Sequence, residues 1–145
     1  MKASPLNEMK GLGFELSGRF LLDRKKVKPE LRAHKRERGV YAFVVGEAIK
    51  YVGETANNLQ ERANQYAKPS PSQTTNVRVN RLLKKEARLQ GPAGPACEIW
   101  FLPDRTIEKG RLYLDLKGTR LEGVPDISIV KRTLISRWDP NWNRR

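Results

Sequence analysis

The sequence predicts a single domain of the mixed α/β (α+β) class, and three observations carry that expectation. Val40 to Val45 and Ile49 to Val52 are β-branched and aromatic runs parted by Gly46-Glu47, which is a hairpin pattern. Two stretches downstream repeat apolar residues at the spacing of amphipathic helices. Ala96 to Leu102 is a further short apolar run, read as a central strand. A chain of 145 residues can bury a core without disulfides or structural metals.

In chain order, residues 1–12 show no pattern and are expected to be loosely ordered, whereas Phe14 to Leu22 is apolar enough to pack as a strand or short element. Eight lysines and arginines fall between Arg24 and Arg38. That charge-rich stretch reads as a solvated helix or loop, or as a contact for a DNA backbone. Residues 1–37 are therefore set apart as a basic extension packing on a core of residues 38–145.

The hairpin register matters, because it decides where Tyr41 and Tyr51 point. A two-residue loop puts them on opposite faces, since strand side chains alternate with period two. A loop of three residues (Val45 to Glu47) or five (Val44 to Ala48) sets them directly opposite each other. An odd loop is expected. Asn57 or Asn58 can cap the next helix, with Glu61 at capping-box spacing from Asn58. Leu59, Arg62, Ala63 and Tyr66 share one face of that helix. An arginine on an apolar stripe is costly to bury without a partner; either a nearby carboxylate or an incoming phosphate would serve, and phosphate is favoured.

Lys68 to Ser72 is a loop. A second helix starts near Thr75-Asn76 and ends near Gly91, with Val79, Leu82, Leu83 and Ala87 facing inward. Arg78, Arg81, Lys85 and Arg88 line another of its faces, where they can track a phosphate backbone or simply be solvated. Gly91 to Pro95 reads as a turn. Arg111 to Leu116 and Thr119 to Glu122 flank Lys117-Gly118 as a second hairpin. The last helix runs from about Asp126 to Trp138 and stops before Pro140.

Composition narrows the function classes. Lys and Arg number 29 against 16 Asp and Glu, a net charge of +13 that favours a polyanionic partner. Cys97 is the sole cysteine, inside an apolar run, and is read as core. His34 is the sole histidine, placed among Arg32, Lys35, Arg36 and Arg38, and is expected to be solvated. Without a His/Cys set, any catalytic metal must be a hard cation on oxygen ligands. No stretch reads as a signal peptide or membrane span, so a cytoplasmic protein with no membrane partner is expected.

Four phrases then align with a known family. Gly39-Val40-Tyr41, Tyr51-Val52-Gly53, Asn58-Leu59-Gln60-Glu61-Arg62 and Pro140-Asn141-Trp142-Asn143 resemble the GIY-YIG nuclease superfamily, in order and at suitable spacing. Ser72 to Asn80 also resembles a branch of small stand-alone bacterial members, some restriction-enzyme-like. The resemblance implies an α/β sandwich with a central three-stranded antiparallel sheet flanked by helices. It implies Mg²⁺- or Mn²⁺-dependent cleavage of DNA, double-stranded by expectation. By position, Tyr41 would be the general base or orient the attacking water, and Tyr51 would bond the scissile phosphate or assist that water. Arg62 would neutralise charge on the phosphate, Tyr66 matches a position often His or Tyr, and Asn143 would brace the site. Arg78, Asn80, Arg81, Lys85 and Arg88 are the candidate DNA contacts. A clean double-strand break would require a homodimer or sequential nicks.

One residue departs from the family. The implied metal-binding glutamate falls at Lys131, fixed by Leu134-Ile135 and the Pro140 to Asn143 close. An ammonium repels Mg²⁺ or takes its place as a fixed charge. Three accounts follow: Asp126 or Glu122 supplies the carboxylate instead, the chain is an inactivated nuclease, or Lys131 itself acts on the phosphate. Two function classes remain, an endonuclease and a non-catalytic DNA-binding protein on the same scaffold, with RNA as a further substrate open to either.

Overall fold

The computed structural model describes residues 4–91, 97–109, 115–116, 119–120 and 126–144. At its centre lies a five-stranded antiparallel sheet. The strands are β1 (Glu15–Asp23), β2 (Lys26–Leu31), β3 (Gly39–Val45), β4 (Ala48–Thr55) and β5 (Cys97–Pro103), in the order β2-β1-β5-β3-β4. The expected α/β class and central position of the third apolar run are both present, but the sheet has five strands rather than three.

The two extra strands come from the segment set apart as an extension. β1 pairs with β5 and β2 pairs with β1, so the segment is built into the sheet. The charge run hid an alternation: within Lys26-Val27-Lys28-Pro29-Glu30-Leu31, Val27 and Leu31 turn inward and are buried. Pro29 is tolerated because β2 is an edge strand. Nor are residues 4–12 without structure. Ser4 caps a short helix, α1 (Pro5–Gly11), by accepting a bond from Asn7 N–H, and Met9 on it is fully buried.

The sheet is covered on both faces. On one pack α2 (Leu59–Ala67) and α3 (Thr74–Gln90), through Leu59, Ala63, Tyr66, Val79, Leu83 and Ala87. On the other pack α1, α4 (Asp104–Lys109) and α5 (Ile127–Trp138), through Met9, Ile107, Val130 and Leu134. β3 is therefore buried on both sides, which explains its unbroken apolar reading: Val40, Ala42 and Val44 face α5, whereas Tyr41 and Phe43 face α2. Cys97 is core, as expected. A two-stranded pair, β6 (Asp115–Leu116) with β7 (Thr119–Arg120), stands where the second hairpin was expected. The expected turn beyond Gly91 and the remainder of that hairpin lie outside the described residues.

The first hairpin puts both tyrosines on one face, but neither through the odd loop expected nor directly opposite each other. Its loop is the two-residue turn Gly46-Glu47, flanked by the pair Val45 and Ala48, with Gly46 at φ 60°. The register then shifts between Phe43 and Val44, so that Lys50 is an extra, bulged residue on β4. The bulge restores the parity that an even loop forfeits. Tyr51 faces the same side as Tyr41, but its cross-strand partner is Phe43, and Tyr41 stands opposite Gly53.

His34 is also not solvated. At φ 61° it turns back over the Phe101 ring (5.6 Å between centroids) and bonds to Glu37 through Nδ1, leaving its side chain 8% exposed. Glu37 in turn pairs with Arg105, whose hydrogen bond holds the carboxyl below its usual range. This clamp has a positional effect. The carbonyls of Lys35 and Glu37 accept the first N–H groups of α2, from Gln60 and Leu59.

Candidate active site

Arg62, Tyr66 and the paired strands β3 and β4 meet on the α2 face of the sheet. Asn58 sets the start of α2: its Oδ1 accepts from Glu61 N–H at 2.8 Å. From that start the helical repeat places Leu59, Ala63 and Tyr66 in the core and Arg62 at its margin, half-buried. The rings of Tyr41, Phe43 and Tyr51 lie nearly parallel across the strands, and Tyr66 meets all three edge-on at 5.3–6.0 Å. Gly53 is what lets Tyr41 lie flat there. A Cβ at that position would come within 2.4 Å of the Tyr41 hydroxyl.

The hydroxyls form a directed chain. Arg62 Nε–H can only donate, and it donates to Tyr41 Oη at 3.1 Å. Tyr66 donates to Tyr51 at 3.3 Å. The 2.6 Å bond between Tyr41 and Tyr66 must then run from Tyr41 to Tyr66. Followed to its end, the chain leaves the Tyr51 proton as an unspent donor. Burial raises all three phenols well above their ordinary value, outweighing the nearby Arg62 cation. All three are neutral at physiological pH.

Arg62 is the cation of the site. One Nη1–H goes to Gln65 Oε1 at 2.7 Å and its guanidinium lies 5.0 Å over the Tyr66 ring. No carboxylate among the described residues pairs with it, and two of its five N–H groups are engaged by these bonds.

The C-terminal residues clasp the outer edge of β4. In the 3₁₀ turn Asn141–Asn143, Asn143 Oδ1 accepts from Val52 N–H at 2.8 Å and its Nδ2 donates to Val52 C=O at 2.9 Å. Trp142 is buried with the tyrosines, and its carbonyl accepts from Arg78 at 2.6 Å. Arg78 thus ties α3 to this turn. Asn80 is buried too, donating to the carbonyls of Tyr66 and Ala67. Of the five candidate DNA contacts, Arg81, Lys85 and Arg88 are exposed on α3.

Lys131 lies on the α5 side, half-buried, with its ammonium 3.0 Å from Glu54 Oε1. Ser128, one turn earlier on α5, donates to the same carboxylate at 2.8 Å. Sequence reading missed Glu54. Its signal was available: with Tyr51 and Gly53 facing α2, period-two alternation sends Val52 and Glu54 toward α5. Asp126 is an exposed cap, accepting from Ile129 N–H at 2.8 Å, and Glu122 lies outside the described residues. Among the described residues no group of three or more His, Cys, Asp or Glu could hold a metal ion. A divalent cation does not fit at Lys131, where an ammonium already neutralises the adjacent carboxylate.

Comparison with known proteins bears on this arrangement through the fold. No protein-family model matches the sequence, and no curated protein matches it. The fold is shared with EndoII of bacteriophage T4. A glutamate-to-alanine mutant of that protein superposes with a TM-score of 0.65 at 16% identity, over 97% of this chain and 99% of the other. A weaker likeness, TM-score 0.49 at 17% identity over 96% of this chain and 80% of the other, is to the restriction endonuclease HPY188I in complex with product DNA. No helix among the described residues is long and apolar enough to cross a membrane.

Proposed function

We propose that the protein is a DNA endonuclease of the GIY-YIG type, hydrolysing a phosphodiester bond whose phosphate rests on Arg62. The observation that carries this reading is Arg62 itself, a half-buried cation on an apolar helix face, held by one phenol oxygen, an amide and the Tyr66 ring, with no carboxylate among the described residues to neutralise it. Such a group is costly to keep unless an anion arrives. The net charge of +13 brings polyanions to it.

The residues divide the work. Arg62 takes two non-bridging oxygens with its unspent N–H groups and stabilises charge that builds on them. Tyr51, at the end of the hydroxyl chain, donates a hydrogen bond to the phosphate. Tyr41 and Tyr66 align Arg62 and Tyr51, and Asn143 fixes the strand edge that carries Tyr51. Protonated as they are, the tyrosines serve as hydrogen-bond donors and not as the base for the attacking water.

A second reading, a DNA-binding protein that keeps this scaffold without cutting, is favoured by the Lys131–Glu54 pair. Duplex cleavage by the wild type, Arg62→Ala and Lys131→Glu, each with and without Mg²⁺ or Mn²⁺, separates the two. Cleavage by the wild type that falls at least about a hundredfold in Arg62→Ala, the scale of one lost transition-state donor, supports the enzyme. Cleavage and a metal-dependent rise in thermal midpoint found only in Lys131→Glu identify the binding protein. Absence of both cleavage and DNA binding in the wild type defeats either reading.

A further inference from the structure

The β1–β2 hairpin and α2 enclose a cleft of about 840 Å³. Arg24, Lys26 and Lys28 line it from the hairpin, and Asn64, Gln65 and Lys68 line it from α2 and its C-cap. All four cations are exposed, and none pairs with a carboxylate among the described residues. Two acids also line the cleft, but Glu61 is bonded to the Asn58 cap and Asp23 stands opposite Lys26 in the hairpin register. The balance is positive.

Two features tie this cleft to the site. Gln65 lines it and also accepts from Arg62 Nη1 at 2.7 Å, so the cleft begins where the site ends. The hairpin tip is the second. Arg24 and Lys25 take φ values of 49° and 69°, left-handed positions that turns of this kind ordinarily give to Asn and Gly. Both carry cations here, and Arg24 lines the cleft.

We propose that this cleft carries the DNA strand adjoining the phosphate on Arg62, with its backbone held by Arg24, Lys28 and Lys68. This rests on the DNA reading above and assigns its principal binding surface to the hairpin rather than to the α3 face. Arg81, Lys85 and Arg88 on α3 are equally exposed, but no bond links them to Arg62.

Salt-dependent binding of a labelled duplex tests it on the wild type, on Arg24→Ala/Lys28→Ala/Lys68→Ala, and on Arg81→Ala/Lys85→Ala/Arg88→Ala. Both triples remove the same charge, so a long-range effect of net charge lowers both alike. The slope of log K against log salt should fall by about two to three in the cleft triple, near 0.9 per lost phosphate contact, and by less than about one in the α3 triple. An unchanged slope in the cleft triple, or equal falls in the two, overturns the proposal. Should the cleft triple fail to fold by thermal melt, Lys28→Ala and Lys68→Ala alone must each lower the slope by about one. If the wild type binds and only Arg62→Ala weakens it, the cleft fails while the site stands; if the wild type does not bind, both fail.

Discussion

Tyr41, Tyr51 and Tyr66 share a run of hydrogen bonds that starts on a guanidinium, and burial keeps every phenol protonated. The sign of the pH dependence follows. Unfolded tyrosines ionise near 10 while the folded ones do not, so their contribution is complete below about pH 10 and is lost as pH rises beyond it. Each group should cost about 1.4 kcal/mol per pH unit there. Urea midpoints measured from neutral to strongly alkaline pH should fall steeply, and less steeply in Tyr66→Phe; a flat profile would contradict the burial. At this scale the site was legible where its residues sit in contiguous phrases, and Tyr66 followed from Arg62 by one helical turn. His34 was not, because its charged neighbours in sequence conceal a left-handed turn that folds the ring onto Phe101. Glu54 was missed for another reason: alternation along β4 turns it toward α5, but nothing local names the Lys131 and Ser128 partners that meet it there.

Among elements, the hairpin carries the plainest lesson. Its sequence pattern located the strands and the turn, but parity arguments assumed regular pairing, and the bulge at Lys50 breaks that assumption. β2 was obscured because charged residues occupy its solvent-facing positions, so composition outweighed alternation. The α5 helix was read with its bounds nearly right, since Asp126 and Pro140 are both local signals. The clasp between the 3₁₀ turn and β4 has no local signal. Asn143→Ala should strand both backbone groups of Val52 and cost about 1–3 kcal/mol in urea unfolding. Asn143→Asp keeps the acceptor for Val52 N–H but sets a carboxylate against Val52 C=O, and should recover little or none of the loss.

For the molecule as a whole, the sheet is where local reading ran out. Three strands could be named around the tyrosines, but β1 joins them through β5, whose sequence lies far downstream. Pairing at that distance leaves no mark on either segment alone. The consequence is that residues 1–37 cannot be dispensed with. A chain beginning at residue 38 would lose Phe20, Val27 and Leu31 from the core and open one side of β5. It should lack a cooperative thermal transition and aggregate, as circular dichroism and light scattering would report. A soluble, cooperatively melting fragment would show that residues 38–145 stand alone.

The bond between Asn143 and Val52 spans 91 residues of chain. Contacts that distant form late, because the intervening loop must close before they bring any return. A ribosome therefore releases β4 long before its clasp exists, and through that interval the strand is a bare edge open to neighbouring chains. The same delay keeps the assembled tyrosine site from forming in full until synthesis has passed residue 143.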